Sequence, residues 1–177
     1  MNCYCAFRPS PLRPSPFRLS LAAALIALPG AAFATCQDFE WPLGNELAFF
    51  STPGNPDVAS GKDVPSYSLG GIAQMLPVAG VKFPNPPEKA SEEGTLGAYV
   101  NVKHVTVGGM YQVTLSEAAW IDAVQNGEVL KPVALTMQHD CPGLHKSVRY
   151  MIKPGPFTLQ FSNAKVAKLN FVVLPSR

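Results

Sequence analysis

The chain has 177 residues, with 14 Lys and Arg, 12 Asp and Glu, and a formal net charge of +2. Three basic residues, Arg8, Arg13 and Arg18, lie in the first 34 positions, which hold no acidic residue. The rest of the chain therefore has 11 basic and 12 acidic side chains, a net charge near −1. A near-neutral domain with scattered lysines lacks the basic surface that binds nucleic acid or anionic membranes, so we expect neither as a partner.

The first 34 residues have the layout of a secretory signal. The arginine-containing leader is followed by the apolar run LSLAAALIALPG at 19–30 and by the small residues AAFA at 31–34. Signal peptidases recognise this order of regions, and the apolar run is too short to span a bilayer. We expect cleavage after Ala34, a single domain over 35–177, no membrane span, and a periplasmic or secreted location.

The segment after the signal predicts one short helix and two loops. Leu43, Leu47 and Phe50 recur at helical spacing behind Pro42, which suits a first helical turn, so we predict a helix over residues 43–50. The segments 51–66 and 83–94 are dense in Pro, Gly, Asn and Ser and are predicted to be loops.

From Thr95 onward the chain alternates apolar and polar residues, as strands with one buried face do. The sequence Asn126-Gly127 between two apolar stretches predicts a two-residue hairpin turn. The pattern predicts an all-β fold, an antiparallel β-sandwich of the jelly-roll or Ig-like kind with one short N-terminal helix, and a small barrel is the alternative. The side chains predicted to face inward are Ala98, Val100, Val102, Tyr111, Val113, Leu115, Val148, Tyr150, Ile152, Phe157, Leu159, Phe161, Leu169, Phe171 and Val173.

Two cysteines follow the signal, and they allow two interpretations of the stretch MQHDCPGLHKSVRY at 137–150. In an oxidising compartment Cys36 and Cys141 are expected to form a disulfide, which would tie the N-terminal helix to the late strands. Alternatively, His139 and His145 with Met137 are ligands suited to copper or zinc. Their spacing matches no established zinc pattern, so the disulfide is favoured, no cofactor is expected, and the metal site remains the alternative.

Three further residues are candidates for ligand binding. Trp41 and Trp120 offer flat aromatic faces of the kind that stack on sugars, although tryptophans also fill cores. Asp122 is flanked by apolar residues in WIDAV. It is either a buried acid with a raised pKa or, in the favoured interpretation, a carboxylate that accepts hydrogen bonds from nearby backbone.

No catalytic residue is assigned, because the sequence shows no nucleophile elbow and no phosphate-binding glycine loop. We therefore expect a non-catalytic binding or accessory module whose partner is an envelope component, a glycan or a protein.

Four patterns carry a resemblance to a known group. They are C-x4-W-P-L-x2-E-x3-F from Cys36, G-x-Y-x-V-x-L from Gly109 with W-I-D from Trp120, C-x3-H-K-x-V-x-Y from Cys141, and P-G-x-F-x-L-x-F from Pro154. Together they resemble small secreted proteobacterial proteins often named homogentisate 1,2-dioxygenase, over most of the chain after residue 35. The name implies an iron-dependent, ring-cleaving dioxygenase.

The resemblance transfers no catalytic residue to this chain. The cupin enzyme of that name holds ferrous iron with two histidines and a glutamate, and the three histidines here, His104, His139 and His145, form no recognisable triad in the sequence. The late half also resembles, more distantly, the β-sandwich domains appended to secreted bacterial peptidases. That likeness implies a binding or targeting role.

Overall fold

The computed structural model describes Cys36 and residues 38–176, and the predicted signal segment lies outside the described residues. The regular secondary structure of the described chain is mainly β-strand, preceded by one α-helix. In chain order the elements are α1 (Gly44–Ser51), β1 (Asp57–Ala59), β2 (Gly70–Gln74), β3 (Leu76–Pro77), β4 (Leu96–Val102), β5 (Gly109–Leu115), β6 (Trp120–Gln125), β7 (Glu128–Val129), β8 (Ala134–Met137), β9 (Lys146–Ile152), β10 (Phe157–Ala164) and β11 (Lys168–Pro175).

The strands form two sheets that pack face to face, which confirms the predicted sandwich. One sheet has six strands in the order β1-β2-β11-β5-β9-β8, and the other has five in the order β3-β4-β10-β6-β7. Neighbouring strands are antiparallel except for β1 and β2, which run parallel. None of the described residues forms a helix long and apolar enough to cross a membrane.

The core between the sheets contains the side chains that the alternation predicted to face inward, although Tyr111 is only partly buried at its edge. It also contains residues that the alternation did not indicate, among them Val58 on β1 and Ala73 on β2. The rings of Phe161 on β10 and Phe171 on β11 pack with their centroids 5.3 Å apart. The predicted hairpin joins β6 to β7, with Asn126 and Gly127 both at positive φ (55° and 79°) as that turn requires. The helix was predicted to within one residue at each end.

The structure differs from the prediction between residues 51 and 82. The first predicted loop contains β1, and β2 and β3 follow in a segment for which the alternation indicated nothing. The reason is the pair Gly70 and Gly71 at the start of β2. A Cβ on Gly70 would lie 2.1 Å from the carbonyl oxygen of Phe171, so β2 approaches β11 too closely for any side chain.

Additional segments cover the outer faces of both sheets. The N-terminal layer (residues 38–51, which includes α1) lies on the six-stranded sheet, where the Glu40 amide donates to Thr136 Oγ1 at 3.0 Å. The strap (residues 83–94, the second predicted loop) lies on the five-stranded sheet. Gln160 holds the strap through the backbone of Asn85, accepting from its amide at 3.0 Å and donating to its carbonyl at 3.1 Å.

Candidate functional site

The polar residues of the six-stranded sheet meet the N-terminal layer in one row. Leu174 on β11 pairs with Gln112 on β5, which pairs with Arg149 on β9, which pairs with Ala134 on β8. Leu174, Gln112 and Arg149 are each next in sequence to a core-facing residue, so they point out of the sandwich toward the layer that covers it. Ala134 packs against the apolar cluster of that layer. The row thus presents an amide and a guanidinium beneath α1.

Glu46 completes the row from the opposite side. It lies in the first turn of α1, where the helix dipole favours a negative charge, and its side chain is only 1% exposed. One carboxylate oxygen, Oε1, accepts a hydrogen bond from Gln112 Nε2. The second oxygen, Oε2, has no side-chain or backbone donor among the described residues. Oε2 is not among the fully buried polar atoms that lack a partner, so it is accessible from the open space beside Glu46.

Arg149 is held on the other side of the same amide. Its Nε donates to Gln112 Oε1 at 3.4 Å, and its guanidinium carbon lies 4.0 Å from the ring centroid of Trp41. Gln112 therefore bridges Glu46 and Arg149. Glu46 and Arg149 do not form a salt bridge with each other. The salt bridges found among residues 38–176 join other side chains.

A cleft opens between the N-terminal layer and this row. Its volume is about 390 Å³, and besides Glu46, Gln112 and Arg149 it is lined by Pro42, Asn45, Leu174 and Pro175. Two opposite charges and an amide thus share a space with apolar walls. This is the common composition of a small-molecule site.

The predicted disulfide fixes one end of the layer that forms the cleft. Cys36 and Cys141 are bonded, with an S–S distance of 2.12 Å and a Cα–Cα distance of 4.9 Å. The bond lies beside a small apolar cluster in which Trp41 and Leu43 pack against Cys141 and Leu144. Residues 138–145 of this stretch are therefore a disulfide-linked loop that leads from β8 into β9, as favoured from the sequence.

Two of the alternative ligands of that stretch, His139 and His145, lie near one another at the edge of the same sheet. The rings of His139 and His145 are 5.2 Å apart in an edge-to-face arrangement, and Met137 on β8 is 39% exposed. Burial, followed by the nearby charges of His139 and Lys146, lowers the pKa of His145. Cys141 is committed to the disulfide, which leaves the two histidines as the candidate ligands that the structure brings together. Met137 pairs with Lys146 across β8 and β9.

The iron site implied by the family name does not fit the described residues. No three His, Cys, Asp or Glu side chains in the described part of the chain come together in a group that could hold a metal. His104, the remaining histidine, lies away from the other two, with its Nε2 3.2 Å from the carbonyl oxygen of Val64.

The structure places the remaining predicted residues on opposite sides of the sandwich. Trp41 is 7% exposed and stacks on Arg149, and its Nε1 has no hydrogen-bond partner among the described residues. Trp120 and Asp122 lie together on the outer face of the five-stranded sheet, where Trp120 Nε1 donates to Asp122 Oδ1 at 2.7 Å. The two tryptophans therefore do not form one platform.

Asp122 lies beneath the strap and is 2% exposed. The backbone amide of Glu88 donates to its Oδ2 at 3.3 Å, which is the backbone contact that the favoured interpretation expected. Burial raises the pKa of Asp122, and the hydrogen bonds from Trp120 and Glu88 oppose that rise. The carboxylate thus helps to hold the strap in place.

Fold and site together define a two-sheet β-sandwich with a disulfide-linked N-terminal layer and a polar cleft beneath it. Comparisons with protein-family models, curated proteins and solved structures each gave no match to this chain.

Proposed function

We propose that this protein is a secreted, periplasmic β-sandwich that binds a small envelope component in the cleft beneath the N-terminal layer. The observation that carries the proposal is the arrangement of Glu46, Gln112 and Arg149. Two opposite charges are held at fixed positions in the cleft without neutralising each other. A side-chain network that served only to attach α1 to the sheet would gain more from a direct ion pair.

Binding, rather than catalysis, fits the contacts of these side chains. Among the described residues, the Glu46 and Arg149 side chains hydrogen-bond only to Gln112. Neither one contacts a hydroxyl that it could activate as a nucleophile, which the common covalent mechanisms require. Secretion is supported by the signal layout of residues 1–34 and by the Cys36–Cys141 bond, since disulfides persist in oxidising compartments.

The experiment compares molecules retained from periplasmic extract by the mature protein and by its Arg149→Gln variant. Lys165→Gln is the matched control, because it removes one positive charge from an exposed position in the turn between β10 and β11. We expect at least one small molecule to be retained by the wild type and by Lys165→Gln but not by Arg149→Gln. Identical retention by all three folded proteins would contradict the proposal.

A second candidate function is copper or zinc binding by His139, His145 and Met137. The observation in its favour is the 5.2 Å spacing of the two imidazoles, together with the lowered pKa of His145, which favours the neutral form that binds metals. Metal analysis of protein purified from its native compartment tests it. One bound metal per chain that is lost in His139→Ala supports it, and metal-free wild-type protein refutes it.

A further inference from the structure

We infer that the ligand of the cleft is a small zwitterion, an apolar α-amino acid that carries one ammonium and one carboxylate group. This inference rests on the proposed binding function and specifies its ligand class. Two features of the cleft support it: the hydrogen-bonding capacity that the three polar side chains leave unused, and the size and lining of the space beside them.

Arg149 retains the part of its side chain that recognises carboxylates. A guanidinium has five N–H groups in a planar fork, and only Nε–H is used here, by Gln112. Trp41 stacks on the face of the guanidinium, which leaves the edge of the plane free. Its two Nη groups have no acceptor among the described residues, and they are the pair that binds a carboxylate in bidentate fashion.

Glu46 retains the complementary capacity for a cation. Its Oε2 lacks a donor among the described residues, while its side chain is almost completely buried beside the cleft. An ammonium group offers three donors and a compensating charge. A ligand with only a carboxylate would leave the negative charge of Glu46 without a partner. A ligand with only an ammonium group would leave the positive charge of Arg149 without one. Unpaired buried charges are unfavourable, and a zwitterion supplies a partner for both of these groups.

The bridging amide sets the separation of the two charges. Glu46 and Arg149 bind opposite ends of the Gln112 carboxamide, so one amide group and two hydrogen bonds separate them. A ligand whose own charges are a few ångströms apart can reach both groups through hydrogen bonds of about 2.8 Å each. The ammonium and carboxylate of an α-amino acid share one carbon and meet this condition.

The walls of the cleft select the size and side chain of the ligand. A volume of about 390 Å³ is near the lower end of the roughly 300 to 1,000 Å³ typical of ligand sites. Pro42, Leu174 and Pro175 supply apolar contacts beside the charged row. An amino acid with an aliphatic side chain therefore fits better than a sugar, which would need further polar partners.

The test is calorimetric titration of the full mature protein with four probes. L-Leucine carries both charges, 4-methylpentanoate lacks the ammonium, 3-methylbutylamine lacks the carboxylate, and glucose lacks both. We expect leucine to bind about tenfold to a hundredfold more tightly than either singly charged analogue, because each loses one charge-assisted hydrogen-bonding partner. Glucose should show no binding.

Two variants cross-check which group contacts which charge. Arg149→Gln should weaken the binding of leucine and of 4-methylpentanoate at least tenfold and leave 3-methylbutylamine unaffected. Glu46→Gln keeps an acceptor for Gln112 Nε2. It should weaken the binding of 3-methylbutylamine at least tenfold and leave the binding of 4-methylpentanoate unaffected. Lys165→Gln should leave the binding of all four probes unchanged. Circular dichroism and urea unfolding of each variant show whether it is folded, so that a loss of binding is not mistaken for a loss of structure.

The outcomes separate this inference from the proposed function. If glucose or a singly charged probe binds as tightly as leucine and Arg149→Gln abolishes that binding, the cleft is a binding site but the zwitterion inference is wrong. The zwitterion inference is also wrong if leucine does not bind while an extract component without an ammonium group does. If neither the four probes nor any extract component distinguishes wild type from Arg149→Gln, both proposals fail.

Discussion

Removing the disulfide should destabilise this domain more than most single substitutions would. The bond joins residues 105 positions apart, so it closes most of the described chain into one loop. In the chain-entropy model, a loop of this length contributes about 4.7 kcal/mol to the free energy of unfolding. Domains of this size have a total of about 5–15 kcal/mol, so we expect the double variant Cys36→Ser with Cys141→Ser to lose a third or more of it.

The assay is urea unfolding of the protein from residue 35 to residue 177, followed by tryptophan fluorescence. With a denaturant dependence of about 1–3 kcal/mol per molar urea, the expected loss of about 4.7 kcal/mol lowers the midpoint by roughly 1.6 to 4.7 M. Wild-type protein kept in reductant is the matched control, because it retains both sulfur atoms and their packing in the cluster with Leu144. Agreement between reduced wild type and the double variant assigns the effect to the bond.

Without the disulfide, the N-terminal layer should loosen before the sheets do. Besides the bond, this layer contacts the sheet through a small apolar cluster that includes Trp41 and Leu43 and through a few hydrogen bonds. Amide exchange in α1 should therefore accelerate more than exchange in β5 or β10 once the bond is absent. A change below about 1 kcal/mol with unaltered exchange in α1 would refute the reasoning, since the layer would then dock by packing alone.

Three further predictions concern the rest of the sandwich. Burial raises the pKa of Asp122 above its ordinary 3.8, so the folded state binds the proton more tightly than the unfolded state does, and the contribution of Asp122 to stability should fall as pH rises from about 4 through the raised pKa. The difference between the unfolding free energies of wild type and Asp122→Asn across that pH range measures this contribution. A difference that does not change with pH contradicts the prediction. Gln160→Leu leaves the backbone amide and carbonyl of Asn85 without their partner, so the free energy of unfolding should fall by about 1–3 kcal/mol and amide exchange in the strap should accelerate. Unchanged exchange in the strap would show that Gln160 does not hold the strap in place. Gly70→Ala brings a methyl group against the carbonyl of Phe171 and should lower the free energy of unfolding in urea by about 1–3 kcal/mol. Gly44→Ala is the control and should not lower it, because nothing lies within 4 Å of the new Cβ. Equal effects of the two substitutions would contradict the close approach of β2 and β11.

The strands of the core were predictable because each of them buries one face. Alternation places Val113 and Val148 toward the other sheet, and the structure confirms this. Strand β2 escaped prediction for a local reason. It begins with Gly70 and Gly71, which sequence patterns associate with turns, whereas here they allow two backbones to approach closely.

The candidate site was less predictable than the core, for a physical reason. Gln112 and Arg149 alternate with core residues and so resemble ordinary solvent-facing side chains, and Glu46 lies in a helix too short to define a buried face. What makes them a site is the N-terminal layer, which covers the outer face of the six-stranded sheet. The sequence contained one clue: the predicted pairing of Cys36 with Cys141 brings residue 36 close to the start of β9, the strand that carries Arg149.

The N-terminal layer buries two polar side chains against the sheet, Trp41, whose Nε1 has no partner among the described residues, and Glu46 above the polar row. Replacing Glu46 and Gln112 with a well-packed apolar pair would avoid burying a carboxylate whose second oxygen lacks a donor, and such replacements are often neutral or stabilising. Stable folds usually break a rule of this kind at functional positions. The disulfide and the apolar cluster around Leu144 also attach the layer, so the hydrogen bond of Glu46 is one attachment among several. The proposed binding function therefore rests on these two features together, the charge of Glu46 beneath the layer and the unused edge of the Arg149 guanidinium beside it.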